Sequence, residues 1–272
     1  MSDGVLAHEV RRLLLSGASL APAGANVIMQ LSWLPIGRAV AESQVESGSL
    51  MRHPIKRTRT TLAYIVIALF GTEEERTLMR AEVNRQHRSV HSTGDVTYDA
   101  FDPELQRWVA ACMYRGAEDS VTFLYGRLSD EVLDILYRRS ASFATTLQVP
   151  ASLWPSDRGA FEVYWANALE NVKMDDVTRE YLLGIASLRF LPSPLSNVLG
   201  PMHRFVTTGF LPTTFREELG LSWSPRRQRL FTTSFSVVAA VNRHTPRVIR
   251  EFPWNLVLWD TRRRFARGRQ VI

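Results

Sequence analysis

A chain of 272 residues, 45% of them hydrophobic and 22% charged, has the composition of a folded protein and the length to bury most of its apolar surface. Its one cysteine, Cys112, excludes an internal disulfide framework and any multi-cysteine zinc or iron–sulfur site. The net charge of +6 is carried almost wholly by arginine, since Lys56 and Lys173 are the only lysines. Such basicity points to nucleic acid or anionic membrane surfaces when it is clustered. Here most arginines alternate with acids along helix faces. Only Arg262 to Arg269 forms a cluster, read as a charged tail, and no nucleic-acid partner is expected. No apolar run approaches the ~20 residues that span a bilayer. The N-terminus lacks a secretory layout, so the expectation is a cytoplasmic protein without a membrane span.

Residues 5–15 carry Val5, Leu6, Val10, Leu13 and Leu14 at helical spacing. Residues 16–24 read as a loop, and residues 26–34 as a buried helix ended by Pro35. A short helix from Gly37 to about Ser43 and a loop through residues 47–49 follow. Pro54 to Phe70 reads as a buried helix on which Arg57 and Thr61, one turn apart, share a face. Thr72 before three glutamates forms a capping box that also suits the positive end of a helix dipole. That helix is expected to run about five turns, with Met79, Val83, His87 and Val90 on its apolar side.

A turn-rich connection then leads to Asp102-Pro103, a cap followed by proline at the first helical position. The helix it opens carries Leu105, Trp108, Val109, Cys112 and Met113 inward. Further helices are predicted over 129–146, 157–172, 175–190, 213–219 and 224–242. Pro192, Pro194, Pro201 and Pro212 are expected to cut residues 192–212 into short pieces. With no strand pattern and no repeat, the fold class is all-α, a single domain over 1–272 with about ten helices.

Chemistry concentrates between Pro54 and His91. A break at Phe70-Gly71 brings Arg57, Thr61 and His87 toward one place, where a cofactor is expected. An imidazole between Val83 and Val90 suits a metal, and it suits a hydrogen-bonded core histidine as well. A His87–His91 zinc pair lacks both an HExxH string and a third ligand. Arg57 on an apolar helix needs an anion, either a bound group or an internal carboxylate such as Glu42. Arg59 is placed on the outer face. Trp33, Phe70, Trp108 and Met113 read as core, with lining of an apolar pocket as their second use.

Five stretches carry a resemblance in their order and spacing. They are NVIMQLSWLPIGRAVAES, PIKRTRTTLAYIVIALFG, VNRQHRSVH, YDAFDPELQRWV and, near the C-terminus, TTGFLPTTFREELGLSWSPRRQR. Together they resemble the MpaB and latex-clearing rubber oxygenase family over most of the chain. The resemblance implies a helical fold with a globin-like core holding a b-type haem and its iron. It also implies the use of molecular oxygen to cleave isoprenoid double bonds. On this resemblance His87 is the proximal haem ligand, while Arg57 and Thr61 stand beside the haem, with its propionates as partners for Arg57.

Two departures stand out. Members often carry Gln-x-x-His-Pro in the upstream helix, where this chain has Trp33 and Leu34 after Gln30. The distal glutamate proposed as a base in rubber oxygenases falls near Glu42, with Glu46 as competitor. The expected function is haem b-dependent oxidation of an apolar, isoprenoid or natural-product-like small molecule by molecular oxygen, with Glu42, Arg57 and Thr61 as catalytic residues. The alternative is a relative that kept the fold, lost haem and binds apolar ligands or serves as an interaction module.

Overall fold

Local chemistry sets most of the helix starts. The computed structural model describes residues 3–42 and 49–272, and in it fourteen α-helices carry nearly all the regular structure. α1 (Asp3–Leu14) buries Val10, Leu13 and Leu14, while the Val5 and Leu6 side chains lie outside what is described. α4 (Pro54–Phe70) opens with proline in its first turn. α5 (Glu73–His87) has the complete capping box, the Glu75 amide donating to the Thr72 hydroxyl and the Thr72 amide to the Glu75 carboxylate. Asp102 caps α6 (Pro103–Tyr125) by accepting from two amides. After α7 (Asp130–Thr146), Asp157 caps α8 (Arg158–Leu169) and Asp175 caps α9 (Asp176–Ala186) in the same manner.

Several segments depart from the sequence reading. Residues 26–34 are not one helix. α2 (Ala23–Gln30) stops before Leu31, Trp33 bridges to Val172, and α3 (Leu34–Ala41) begins with Pro35 in its first turn. There the missing proline N–H costs nothing, because a first-turn amide has no intrahelical partner. The helix expected from Gly37 is the body of α3; Ser43 and the loop at 47–48 lie outside the described residues. Nor do the prolines fragment residues 192–212. α10 (Ser193–Phe210) is continuous, with Pro194 in the first turn and Pro201 on an exposed side where water reaches the carbonyl it leaves free. The turn-rich connection contains a two-stranded antiparallel ribbon, His91–Ser92 against Tyr98–Asp99, too short to show alternation. α5 ends at His87, sooner than expected, and Val90 falls in the turn beyond it.

α11 (Thr213–Glu218) and the Ser224-capped α12 (Pro225–His244) follow, then α13 (Arg247–Arg250) and α14 (Trp254–Ala266). Arg262 and its neighbours are therefore no free tail: α14 packs on α4, and Arg262 bonds Glu75 at 2.8 Å. α6 sits at the centre, with α1, α2, α7 and α12 against it. Its Trp108 is sandwiched between Trp33 at 4.8 Å and Trp165 at 5.1 Å. Gly116 admits α2, since a Cβ there would stand 2.2 Å from the Asn26 amide nitrogen. No described helix is long and apolar enough to cross a membrane.

α6 also carries a pH-sensitive carboxyl. Arg115 is engaged by Glu118 at 2.7 Å and Glu162 at 2.8 Å, and Asp119 has no ion pair among the described residues. Burial pushes Asp119 up to about 6; the Arg115 charge opposes this, and Glu118 and Glu162 add to it. The folded-state value exceeds the unfolded one. Ionising Asp119 therefore opposes folding, fully above pH ~6 and not at all below about 4, by at most ~3 kcal/mol. Asp119→Asn should raise the melting temperature at pH 8 and leave it unchanged near pH 4, as read by calorimetry.

Candidate functional site

Two cavities of about 290 and 240 Å³ adjoin at α4. Gln30, Leu31, Val40, Arg57, Thr61 and Met113 line both, which makes them two lobes of one space in the size range of ligand sites, ~300–1,000 Å³. The larger lobe extends past Ile65 and Phe70 to His203 and Trp254. The smaller extends past Tyr64 and Val83 to His87. Most of the lining surface is apolar, and the wall of the smaller lobe also takes in Lys56, Gln86, Tyr98, Asp99 and Gln106.

The helical spacing of Arg57 and Thr61 does what the sequence reading expected: both stand in the wall between the lobes. The Arg57 side chain keeps accessible surface and lines both lobes. Protein surrounds it, and that burial lowers its pKa, opposed by the Tyr181 phenol. Among the described residues the Arg57 side chain has no hydrogen bond and no carboxylate partner. Glu42 does not neutralise it. That carboxylate, at the C-terminal end of α3, bonds Arg38, which also holds Asp175, and it lines neither lobe. Glu46 lies outside the described residues. A cation drawn among protein groups without a counter-charge is costly, and a bound anion would relieve that cost.

His87 is the last residue of α5 and half-buried in the smaller lobe. Its Nδ1 is fully buried and has no hydrogen-bond partner. Burial first, then the nearby Arg57 charge, lowers its pKa to about 4. The imidazole is thus neutral at neutral pH, the form that offers a lone pair to a metal. Phe101 holds the ring edge-on at 6.3 Å. A hydrogen-bonded core histidine would show a partner, and this one shows none. His91, exposed in the ribbon opposite Asp99, lines neither lobe. No group of three metal-ligating side chains occurs among the described residues.

Of the four large apolar residues singled out from sequence, Phe70 and Met113 line the cavity, whereas Trp33 and Trp108 are core. Trp33 donates its indole N–H to the Ala168 carbonyl at 3.2 Å. Arg59 faces outward to Asp260 at 3.7 Å. Sequence reasoning missed His203, Asn26 and Tyr181. His203 Nδ1 lies 2.9 Å from the Ala186 carbonyl, which can only accept, so that nitrogen carries a proton, and the residue lines the larger lobe. Asn26 donates to the Cys112 carbonyl at 2.5 Å and accepts from Gln30 at 2.6 Å, holding Gln30 in the wall. These positions arise from α10 and α6 packing on α2, which no local pattern announces.

A family model described as "ER-bound oxygenase mpaB/B'/Rubber oxygenase, catalytic domain" matches residues 10–243. Uncharacterized protein Mb2261 of Mycobacterium bovis is 47% identical over 250 residues, which cover 91% of this chain and 98% of that protein. Uncharacterized protein Rv2237 of Mycobacterium tuberculosis shows the same identity and coverage. No solved structure matches the chain.

Proposed function

This chain belongs to the mpaB/rubber oxygenase family, and from that premise we propose that it is a haem b-dependent oxidase or oxygenase acting on an apolar small molecule with molecular oxygen. One observation carries the reading: a neutral His87 and an Arg57 side chain, both without a partner among the described residues, line one space of largely apolar surface. A b-type haem needs that combination, an imidazole for iron and a cation for propionate, within walls that exclude water. In this reading α4, α5 and α6 form the globin-like core around the group.

When bound, haem supplies the redox chemistry with oxygen. The chain supplies the setting. His87 holds the iron, its ring oriented by Phe101 and the end of α5. Arg57 anchors the anionic edge through charge-assisted hydrogen bonds, with the Thr61 hydroxyl on the same wall. Ile65, Phe70 and Met113 present an apolar surface that suits an isoprenoid or similar substrate and keeps water from it. The reading gives no step to Glu42, whose carboxylate is held by Arg38 away from the lining.

The test is the absorption spectrum of the protein purified from cells supplied with iron and a haem precursor. A Soret band is expected, followed by oxygen consumption with an isoprenoid substrate. A colourless protein that takes up no added haemin would overturn the reading and leave an apolar-ligand binder built on the same cavity.

A further inference from the structure

Residues 225–272 hold eleven arginines and two acids, a balance of +9 in a chain of +6, so the preceding residues are net negative. Exposed apolar side chains gather in the same stretch. α12 touches the rest of the protein through a narrow stripe of Phe231, Phe235, Ala239 and Asn242. Leu230, Val237 and Val241 share another of its faces and lie in solvent. On α13, Val248 is 77% exposed and Ile249 66%. Along α14 the exposed Leu256 and Trp259 lead to Arg263, whose guanidinium lies over the Trp259 ring at 5.2 Å.

These elements converge on Ser16. Asn242 accepts the Ser16 hydroxyl at 2.7 Å, and the Trp254 indole donates to the Ser16 carbonyl at 2.8 Å. Gly17 lies so close that a Cβ there would stand 2.2 Å from the Phe252 carbonyl oxygen. The end of α12, all of α13 and the start of α14 therefore form one corner. One of its arginines is engaged, Arg247 by Glu251. Arg243 at the end of α12 and Arg263 over the Trp259 ring are exposed and have no ion pair among the described residues.

We propose that this corner docks the protein peripherally on an anionic lipid bilayer, with Val248, Ile249, Phe252 and Trp259 entering the headgroup boundary and the free arginines meeting the headgroups. Charge decides among the occupants. A second copy related by a two-fold axis would set this arginine-rich face against itself. A nucleic acid would match the charge and leave the apolar side chains without a partner. A bilayer of anionic lipid satisfies both. Ser19, Leu20 and Trp254 also line the larger lobe, so the docked corner adjoins the cavity. The docking stands whether or not haem binds.

Vesicle flotation of the full chain tests this. Phosphatidylcholine vesicles with about one third phosphatidylglycerol should carry the protein upward, and pure phosphatidylcholine should not. Val248→Ser combined with Ile249→Ser should reduce partitioning about tenfold with the charge unchanged. Arg243→Glu combined with Arg263→Glu should reduce it by at least about 25-fold, roughly fivefold per charge. Circular dichroism of both variants should match the wild type, as all four side chains are exposed. The proposal fails if the wild type stays below with anionic vesicles or if both variants float like it. It also fails if the wild type forms a dimer that these substitutions dissolve without lipid, or retards duplex DNA while ignoring vesicles.

Discussion

His87→Ala protein, purified alongside the wild type, should show no Soret band and should regain one when imidazole is added with haemin. The expected loss is nearly complete because the smaller lobe is lined by no second imidazole and no thiol, its other nitrogen and sulfur donors being Lys56 and Met113, poorer haem ligands. The substitution should hardly disturb the fold. His87 makes no hydrogen bond, it ends its helix, and the other end of α5 is secured by the capping box while Met79 and Val83 anchor its middle. Its truncation should cost no more than about 1–2 kcal/mol, the range of a modest side-chain deletion. Far-ultraviolet circular dichroism and the melting temperature of the haem-free form would confirm this. Rescue by imidazole separates a missing ligand from a collapsed cavity, since only an intact cavity accepts the ring. His91→Ala serves as the control and should keep the full band, because His91 lies outside the lining. An unaltered Soret band in His87→Ala would remove His87 from the site.

What was legible in the sequence was what local chemistry decides. The Thr72 capping box, the Asp102 cap before Pro103 and the one-turn spacing of Arg57 and Thr61 all rest on residues within four of each other, and the structure shows each. Proline was ambiguous for a physical reason. The same missing N–H ends a helix in one setting and is harmless in a first turn, and only the packing of the segment beyond Pro35 distinguishes the two. The arginine cluster read as a tail because its partners are remote: Arg262 meets Glu75, 187 residues away, once α14 lies on α4. His203 and Asn26 escaped notice likewise, their positions being set by helices that meet only in the fold. Glu42 shows the converse. Its place in the chain suggested the site, but a neighbour one turn back, Arg38, claims it.

Arg57→Met should stabilise the haem-free protein and weaken its grip on haem, two effects of opposite sign from one substitution. The first follows from the missing partner. A guanidinium held inside the protein without a carboxylate forfeits hydration, and methionine fills similar space at no such cost. Water entering the cavity screens part of that penalty, so the gain should be about 1–2 kcal/mol, or roughly 2–6 °C in melting temperature for a chain of this size. The second follows from what the cation is there to hold. Loss of a charge-assisted hydrogen bond of about 1.5–3 kcal/mol should weaken haemin binding roughly 10- to 100-fold. Thermal melts of the haem-free proteins and a haemin titration followed at the Soret band read the two effects separately. Arg57→Lys should fall between the wild type and Arg57→Met in affinity, keeping the charge and losing the planar fork. A purely structural arginine would move both quantities the same way, with melting temperature and affinity falling together. Opposite signs are the mark of a residue kept at the expense of stability for an anion that bonds it from outside the described residues.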